Sequence, residues 1–238
     1  MTTKEKLSYF KTNKDVFGLR ATLRVSLFHL LRSVLNRLPE DKFDSRFGVS
    51  TNGKIPLKEL GIHNKDLILY TPTHERVMRH ILKNLAIDYQ EYIFIDIGCG
   101  KGRALLMAML YPFKRVVGVE LASLTSNVAR NNIDIMKTNA LVRCSNVEVQ
   151  CVDATDFEIP AGNVVIYMYR PFIGDVLSKV LDNIIEHAHG NIIIAHSALG
   201  NDEERIFLSK GCLEKMKEYL TISIEHSWSL WQLKAKNN

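Results

Sequence analysis

An apolar run that ends in an acid and then in three glycines spaced two apart does more than any other part of this chain to limit its fold. Residues 94 to 102 read Phe94-Ile95-Asp96-Ile97-Gly98-Cys99-Gly100-Lys101-Gly102. Tyr92-Ile93-Phe94-Ile95 is β-branched and aromatic, which suits a buried strand. Ala104 to Leu110 is apolar on every side and suits a buried helix. A strand, a glycine turn and a buried helix open a nucleotide-binding α/β fold. The glycines leave backbone N–H groups bare at the helix N-terminus, where a polar ligand can reach them.

Spacing narrows the ligand. A dinucleotide fingerprint has its third glycine three residues after the second, where this chain has Arg103. A phosphate P-loop would need Gly-Lys-Ser/Thr, and here Gly100-Lys101 is followed by Gly102. The stretch resembles motif I of the class I S-adenosylmethionine-dependent methyltransferases, acid-x-Gly-x-Gly-x-Gly. Two further strand ends fall where that family needs them. Arg115-Val116-Val117-Gly118-Val119-Glu120 ends in an acid 18 residues after Gly102. A carboxylate there can accept from both hydroxyls of a ribose. Val147 to Asp153 is a third strand ending in an acid, followed by Ala154. The resemblance implies that Asp153 meets the adenine amino group and that the Ala154 N–H meets a ring nitrogen. It implies S-adenosylmethionine as cofactor and S-adenosylhomocysteine as product, held by Thr73, Asp96, Gly98, Cys99, Gly100, Gly102, Glu120, Asp153 and Ala154.

The expected fold is α/β, a Rossmann-like class I methyltransferase. It has a seven-stranded, mostly parallel sheet with an antiparallel C-terminal hairpin, plus an N-terminal helical extension. Asn163 to Tyr169 reads as the fourth strand, residues 176–185 as a helix, and Gly190 to Ala195 as the fifth strand. Gly211 to Tyr219 reads as a helix. Leu220 to Glu225 and Trp228 to Leu233 read as the hairpin, because only His226 and Ser227 separate them. The expected division is residues 1–64, a basic amphipathic helix with a connecting segment, and residues 65–238, the cofactor-binding domain.

Residues 1–40 carry eight basic side chains against three acidic ones, which accounts for the chain's whole net charge of +5. Leu23, Leu27, Leu30, Leu31, Val34, Leu35 and Leu38 recur at helical spacing, with Arg20, Arg24 and Arg37 between them. The readings are a docked helix with a solvated basic edge, a membrane-surface helix, an arm for an anionic partner, or a substrate lid. The neutral remainder argues against a nucleic-acid acceptor. Cysteines 99, 144, 151 and 212 form no metal spacing, so no metal is expected. They read as reduced cysteines of a cytoplasmic protein. The first sixteen residues are broken by charge, unlike a secretory signal.

Tyr70-Thr71-Pro72-Thr73, just before motif I, resembles a loop of the non-SET lysine methyltransferases, which there closes over the methionine end of the cofactor. Asn52-Gly53 upstream is a turn signal. Amine methyltransferases of several families place Asn-Pro-Pro-Tyr/Phe at the end of strand four. This chain has Tyr169-Arg170-Pro171-Phe172, and arginine has only donors. Arg170 could instead bind a carboxylate or phosphate, or pair with Asp175 or Asp156 at the surface. Tyr70, Tyr169 and Arg170 are the candidate catalytic residues, with His196 expected near the methyl group because it follows strand five. The acceptor readings are a protein lysine, an anionic small molecule anchored by Arg170, or none, in a cofactor-binding protein without catalysis.

Overall fold

The structure is a computed structural model that describes residues 41–187, 189–221 and 224–234. The amphipathic stretch 17–38 lies outside them. A short helix α1 (Phe43–Phe47) and a 3-10 turn (Leu57–Leu60) precede α2 (Glu75–Asn84). Then come β1 (Tyr92–Ile97), α3 (Arg103–Ala108), β2 (Arg115–Glu120), α4 (Ser123–Lys137) and β3 (Val147–Cys151). The second half runs β4 (Asn163–Tyr169), α5 (Gly174–His187), β5 (Ile192–Ser197), α6 (Asn201–Ser209), β6 (Leu213–Tyr219) and β7 (Trp228–Leu233).

The seven strands form one sheet in the order β3-β2-β1-β4-β5-β7-β6. The first five are parallel, and β7 inserts antiparallel between β5 and β6. The expected seven-stranded, mostly parallel sheet is the observed one, while the expected N-terminal helical extension lies outside the described residues. β1 and β4 are almost wholly buried, as continuous apolar runs in a parallel sheet must be. One face packs on α2 and α3 through Phe94, Met78 and Leu105; the other packs on α5 and α6 through Ile95, Ile166, Leu181 and Phe207. The order reverses between β1 and β4, so their carboxyl ends diverge and leave a crevice.

The C-terminal expectation is corrected. Residues 213–219 are a strand and not a helix; the helix lies earlier, at 201–209, and residues 224–226 form a 3-10 turn. The hairpin exists, but β6 is its first strand. Glu214, Lys215, Met216, Lys217 and Glu218 are helix-forming side chains, which hid the strand. An edge strand has only one neighbour, and lysines along it discourage pairing with another chain.

Asn52-Gly53 makes a bend without flanking strands. The segment is instead held by Arg103, whose side chain is 2% exposed. Its guanidinium donates to Asp41 (2.9 Å), Asp44 (3.0 Å), Asn52 Oδ1 (2.8 Å) and Thr51 Oγ1, and it lies over the Phe43 ring. Residues 41–53 therefore dock directly on the start of α3.

Candidate cofactor and acceptor cleft

The glycine turn joins β1 to α3. Gly98 N–H and Cys99 N–H both donate to the Val119 carbonyl at the end of β2, at 2.8 and 3.0 Å. Gly98, Gly100 and Gly102 all have positive φ. A Cβ on Gly98 would lie 2.5 Å from the Pro171 Cβ, and one on Gly100 would lie 2.1 Å from the Tyr70 ring. Neither position admits a side chain, and both are also strained for an L-residue. Tyr70 covers the turn, and its hydroxyl donates to the Thr51 carbonyl at 2.7 Å. Its ring also faces the Lys101 ammonium, 5.7 Å away.

A cleft of about 560 Å³ opens beside this turn, at the carboxyl ends of β1, β2 and β3. That is the size of a small-molecule site. Tyr70, Thr73, Asp96, Gly98, Cys99, Glu120, Asp153, Ala154 and Tyr169 line it. Of the residues singled out from the sequence, Gly100, Gly102, Arg170 and His196 are not in the lining. Gly100 and Gly102 shape the turn from behind.

Each lining acid has a distinct setting. Glu120 lies at the end of β2; its Oε2 accepts the Gly100 N–H at 2.8 Å and its Oε1 the Ala122 N–H at 2.9 Å. A carboxylate offers about four lone-pair sites, so capacity remains for a diol. Asp96 is buried; loss of water, then repulsion from Glu120, pushes its carboxyl well above the usual range. Asp153 accepts the Thr155 N–H and hydroxyl through Oδ1 alone. Thr73 does not cap α2. His74 does, by accepting the Arg76 N–H, while the Thr73 hydroxyl meets the Tyr167 hydroxyl at 3.0 Å and Tyr167 meets Ser197 at 3.2 Å.

Tyr169 lies at the end of β4. Burial, then the nearby Glu225 carboxylate, raises its phenol above the ordinary value. Burial likewise raises the phenols of Tyr70 and Tyr167. These hydroxyls stay protonated and serve as hydrogen-bonding groups.

Two sequence expectations are corrected here. Arg170 donates through Nε to Glu203 of α6 at 2.6 Å, a partner that replaces the expected Asp175 or Asp156 at that nitrogen. His196 belongs to β5 itself and is fully buried, edge-on to Phe207. Position 196 points away from the cleft because side chains alternate along a strand. Glu203, Thr51 and Leu67 were not foreseen. Only the fold brings them near, and none belongs to a motif.

The cleft fits S-adenosylmethionine on the structure's own evidence. The glycine turn excludes side chains, the Glu120 carboxylate stands at its edge, and Asp153 and Ala154 stand across from it. Among the described residues no cluster of His, Cys, Asp or Glu could hold a metal ion, and no helix is long and apolar enough to cross a membrane.

Comparison with known proteins agrees with the geometry. The Methyltransf_4 family, described as "Putative methyltransferase", matches residues 90–160. Ribosomal protein L11 methyltransferase of Aquifex aeolicus is 28% identical over 85 residues, which is 36% of this chain. The match spans about a third (34%) of that relative's length. Among solved structures, a "putative RNA methyltransferase" from Pyrococcus horikoshii superposes with a TM-score of 0.55 at 14% identity, covering 82% of this chain and 98% of that one. A magnesium protoporphyrin IX methyltransferase from Synechocystis PCC 6803, with S-adenosylmethionine bound, gives 0.50 at 13% identity over 87% and 96%. An RNA methyltransferase from Salinibacter ruber, in complex with S-adenosylhomocysteine, gives 0.50 at 16% identity over 71% and 95%. Strand order and glycine turn are those of the class I S-adenosylmethionine-dependent methyltransferase fold, and within it residues 90–160 are similar to the Methyltransf_4 family.

Proposed function

We propose that the protein transfers a methyl group from S-adenosylmethionine to an amine, with a protein lysine as the acceptor class. One observation carries the transfer itself: the glycine turn, Glu120, Asp153 and Ala154 line a single cleft. Glu120 would hold the ribose, Asp153 and the Ala154 N–H the adenine, and Asp96 with the turn the amino-acid end. The cofactor supplies an electrophilic methyl, so no metal or covalent nucleophile is needed. Tyr70 and Thr73 form the wall over the turn and keep water out of it. Tyr169 presents a neutral phenol at the end of β4, where its oxygen can accept from an incoming amine and align it.

The amine reading is supported by the acids and hydroxyls at that end of the cleft. Glu225 places negative charge beside Tyr169. Arg170 is turned to Glu203, which removes the support for an anionic small molecule anchored there.

A nucleic-acid acceptor is the second reading, and the earlier expectation against it has no support in the comparisons. Lys54, Lys58 and Lys65 are exposed on the cleft's outer wall, and Lys179 is on its rim. None of the four is in an ion pair among the described residues, although Glu59 and Asp66 in the same segment offset part of their charge. Phosphates would be drawn to such lysines in a salt-dependent way.

Thermal-shift titration with S-adenosylhomocysteine tests the cofactor, and labelled methyl transfer into lysate separated into protein, nucleic acid and small molecules tests the acceptor. Stabilisation and label in the protein fraction are expected. Label in nucleic acid would replace the first acceptor reading with the second. No stabilisation at millimolar ligand would sink both.

A further inference from the structure

Among the described residues Arg170 is one of three non-glycine residues with positive φ, at +42°. It follows β4 in a left-handed conformation that L-residues disfavour. Strain of that kind persists only where its surroundings hold it.

What the strained residue positions is clear. The next residue, Pro171, packs on Gly98 of the glycine turn. The Pro171 carbonyl accepts the Ile68 N–H at 2.9 Å, and the Ile173 N–H donates to the Asp66 carbonyl at 2.7 Å. Leu67 and Phe172 form an isolated bridge between these two contacts. The turn after β4 thus carries the wall segment 66–73, and with it Tyr70 and Thr73. Tyr169, immediately before the strained residue, faces the cleft.

Glu203 is buried to 1% exposure on α6. Its neighbours Asp202 and Glu204 are far more open to solvent. Its Oε1 accepts from Arg170 Nε at 2.6 Å, while its Oε2 has no hydrogen-bond partner. His196, packed nearby against the same helix, has neither ring nitrogen partnered. A buried carboxylate with half its capacity unmet is a poor source of stability. Its one evident engagement is with the strained arginine.

We propose that Glu203 is a positioning residue for methyl transfer: by clamping Arg170 in its left-handed conformation, it sets the turn that places Tyr169 at the acceptor end and docks the wall segment 66–73 over the glycine turn. This rests on the methyl-transfer reading. Glu203 touches neither cofactor nor acceptor and acts through Arg170. The clamp is needed because arginine occupies a position that glycine would hold unaided.

That last point supplies the test. Amide hydrogen exchange is followed at Ile68 and Ile173 in the full chain, alongside calorimetry with S-adenosylhomocysteine and label transfer into the active lysate fraction at saturating S-adenosylmethionine. Glu203→Gln should lower protection at both amides about tenfold, which corresponds to one lost interaction of ordinary size. It should slow label transfer and leave cofactor-product affinity within about twofold of wild type. The double variant Arg170→Gly with Glu203→Gln removes both charges and relieves the strain; it should regain wild-type protection and transfer. Unchanged protection in Glu203→Gln, or a double variant as loose as the single, overturns the proposal. If Glu203→Gln does not fold, the double variant decides in the same way. Wild-type protein that transfers no label counts against the methyl-transfer reading alone, and the exchange comparison then still decides the role of Glu203.

Discussion

The Glu120 carboxylate accepts the backbone N–H of Gly100 at 2.8 Å, so the acid at the end of β2 is tied to the turn at the end of β1. The residue expected to bind the ribose therefore also shapes the loop beside it. Glu120→Ala removes both roles. Loss of charged hydrogen bonds worth about 1.5–3 kcal/mol should weaken S-adenosylmethionine binding about 10- to 100-fold. Calorimetry on a folded variant measures this, and unchanged affinity would take Glu120 out of the site.

Gly100→Val should abolish cofactor binding. Its Cβ would fall 2.1 Å from the Tyr70 ring, so the ring must leave its place and the covering wall must open. Positive φ at this position adds strain for a β-branched residue. Because Tyr70 is the group displaced, pairing the change with Tyr70→Ala should relieve the clash but not the strain. Thermal shift with S-adenosylhomocysteine on the two variants separates these contributions. Normal binding by Gly100→Val would mean that the turn is purely structural.

Arg103→Leu should destabilise the fold by about 3–5 kcal/mol, because it leaves Asp41 and Asp44 without their buried partner. For a chain of this size that corresponds to a fall in Tm of roughly 10 °C. Arg103→Lys should recover little, since one ammonium cannot serve four acceptors from a fixed fork. Calorimetric scans of both variants supply the check, and a lysine variant as stable as wild type would contradict the hub.

His196 should make the protein acid-sensitive. Burial, with Arg170 nearby, holds its imidazole at about 3 against an ordinary 6.5. A depressed native value means that the unfolded chain binds the extra proton between those limits. Stability is thus full above about pH 6.5 and falls as pH drops toward 3, by up to ~1.4 kcal/mol per pH unit for this one group. His196→Leu removes two unpartnered buried nitrogens and should flatten the Tm profile between pH 6.5 and 4. Parallel profiles for wild type and variant would show that His196 does not titrate in this way.

Most of the sheet was legible because its inner parallel strands are buried on both faces. Tyr92–Ile97, Arg115–Glu120 and Asn163–Tyr169 are runs that could sit comfortably nowhere else. The glycine turn and the acid at each strand end were legible for a different reason. They are local: a turn with positive φ needs glycine, and a strand-end carboxylate is positioned by its own strand. β6 was not legible. At an edge, charged helix formers such as Lys215 and Glu218 face water in either conformation, and only pairing with β7 makes them a strand.

The sequence alone thus determined the strand–turn–helix opening, the order of the acid-bearing strand ends and the class of fold, because each depends on neighbours within a few residues. Tertiary structure decided the rest. Arg170 turned from the cleft to Glu203, 33 residues away, and His196 became core. Tyr70 came to rest on Gly100, and Arg103 gathered Asp41, Asp44, Thr51 and Asn52. These contacts join groups distant in the chain, and their energies come from burial and from the pairing of buried charges. No local pattern records which distant group will arrive.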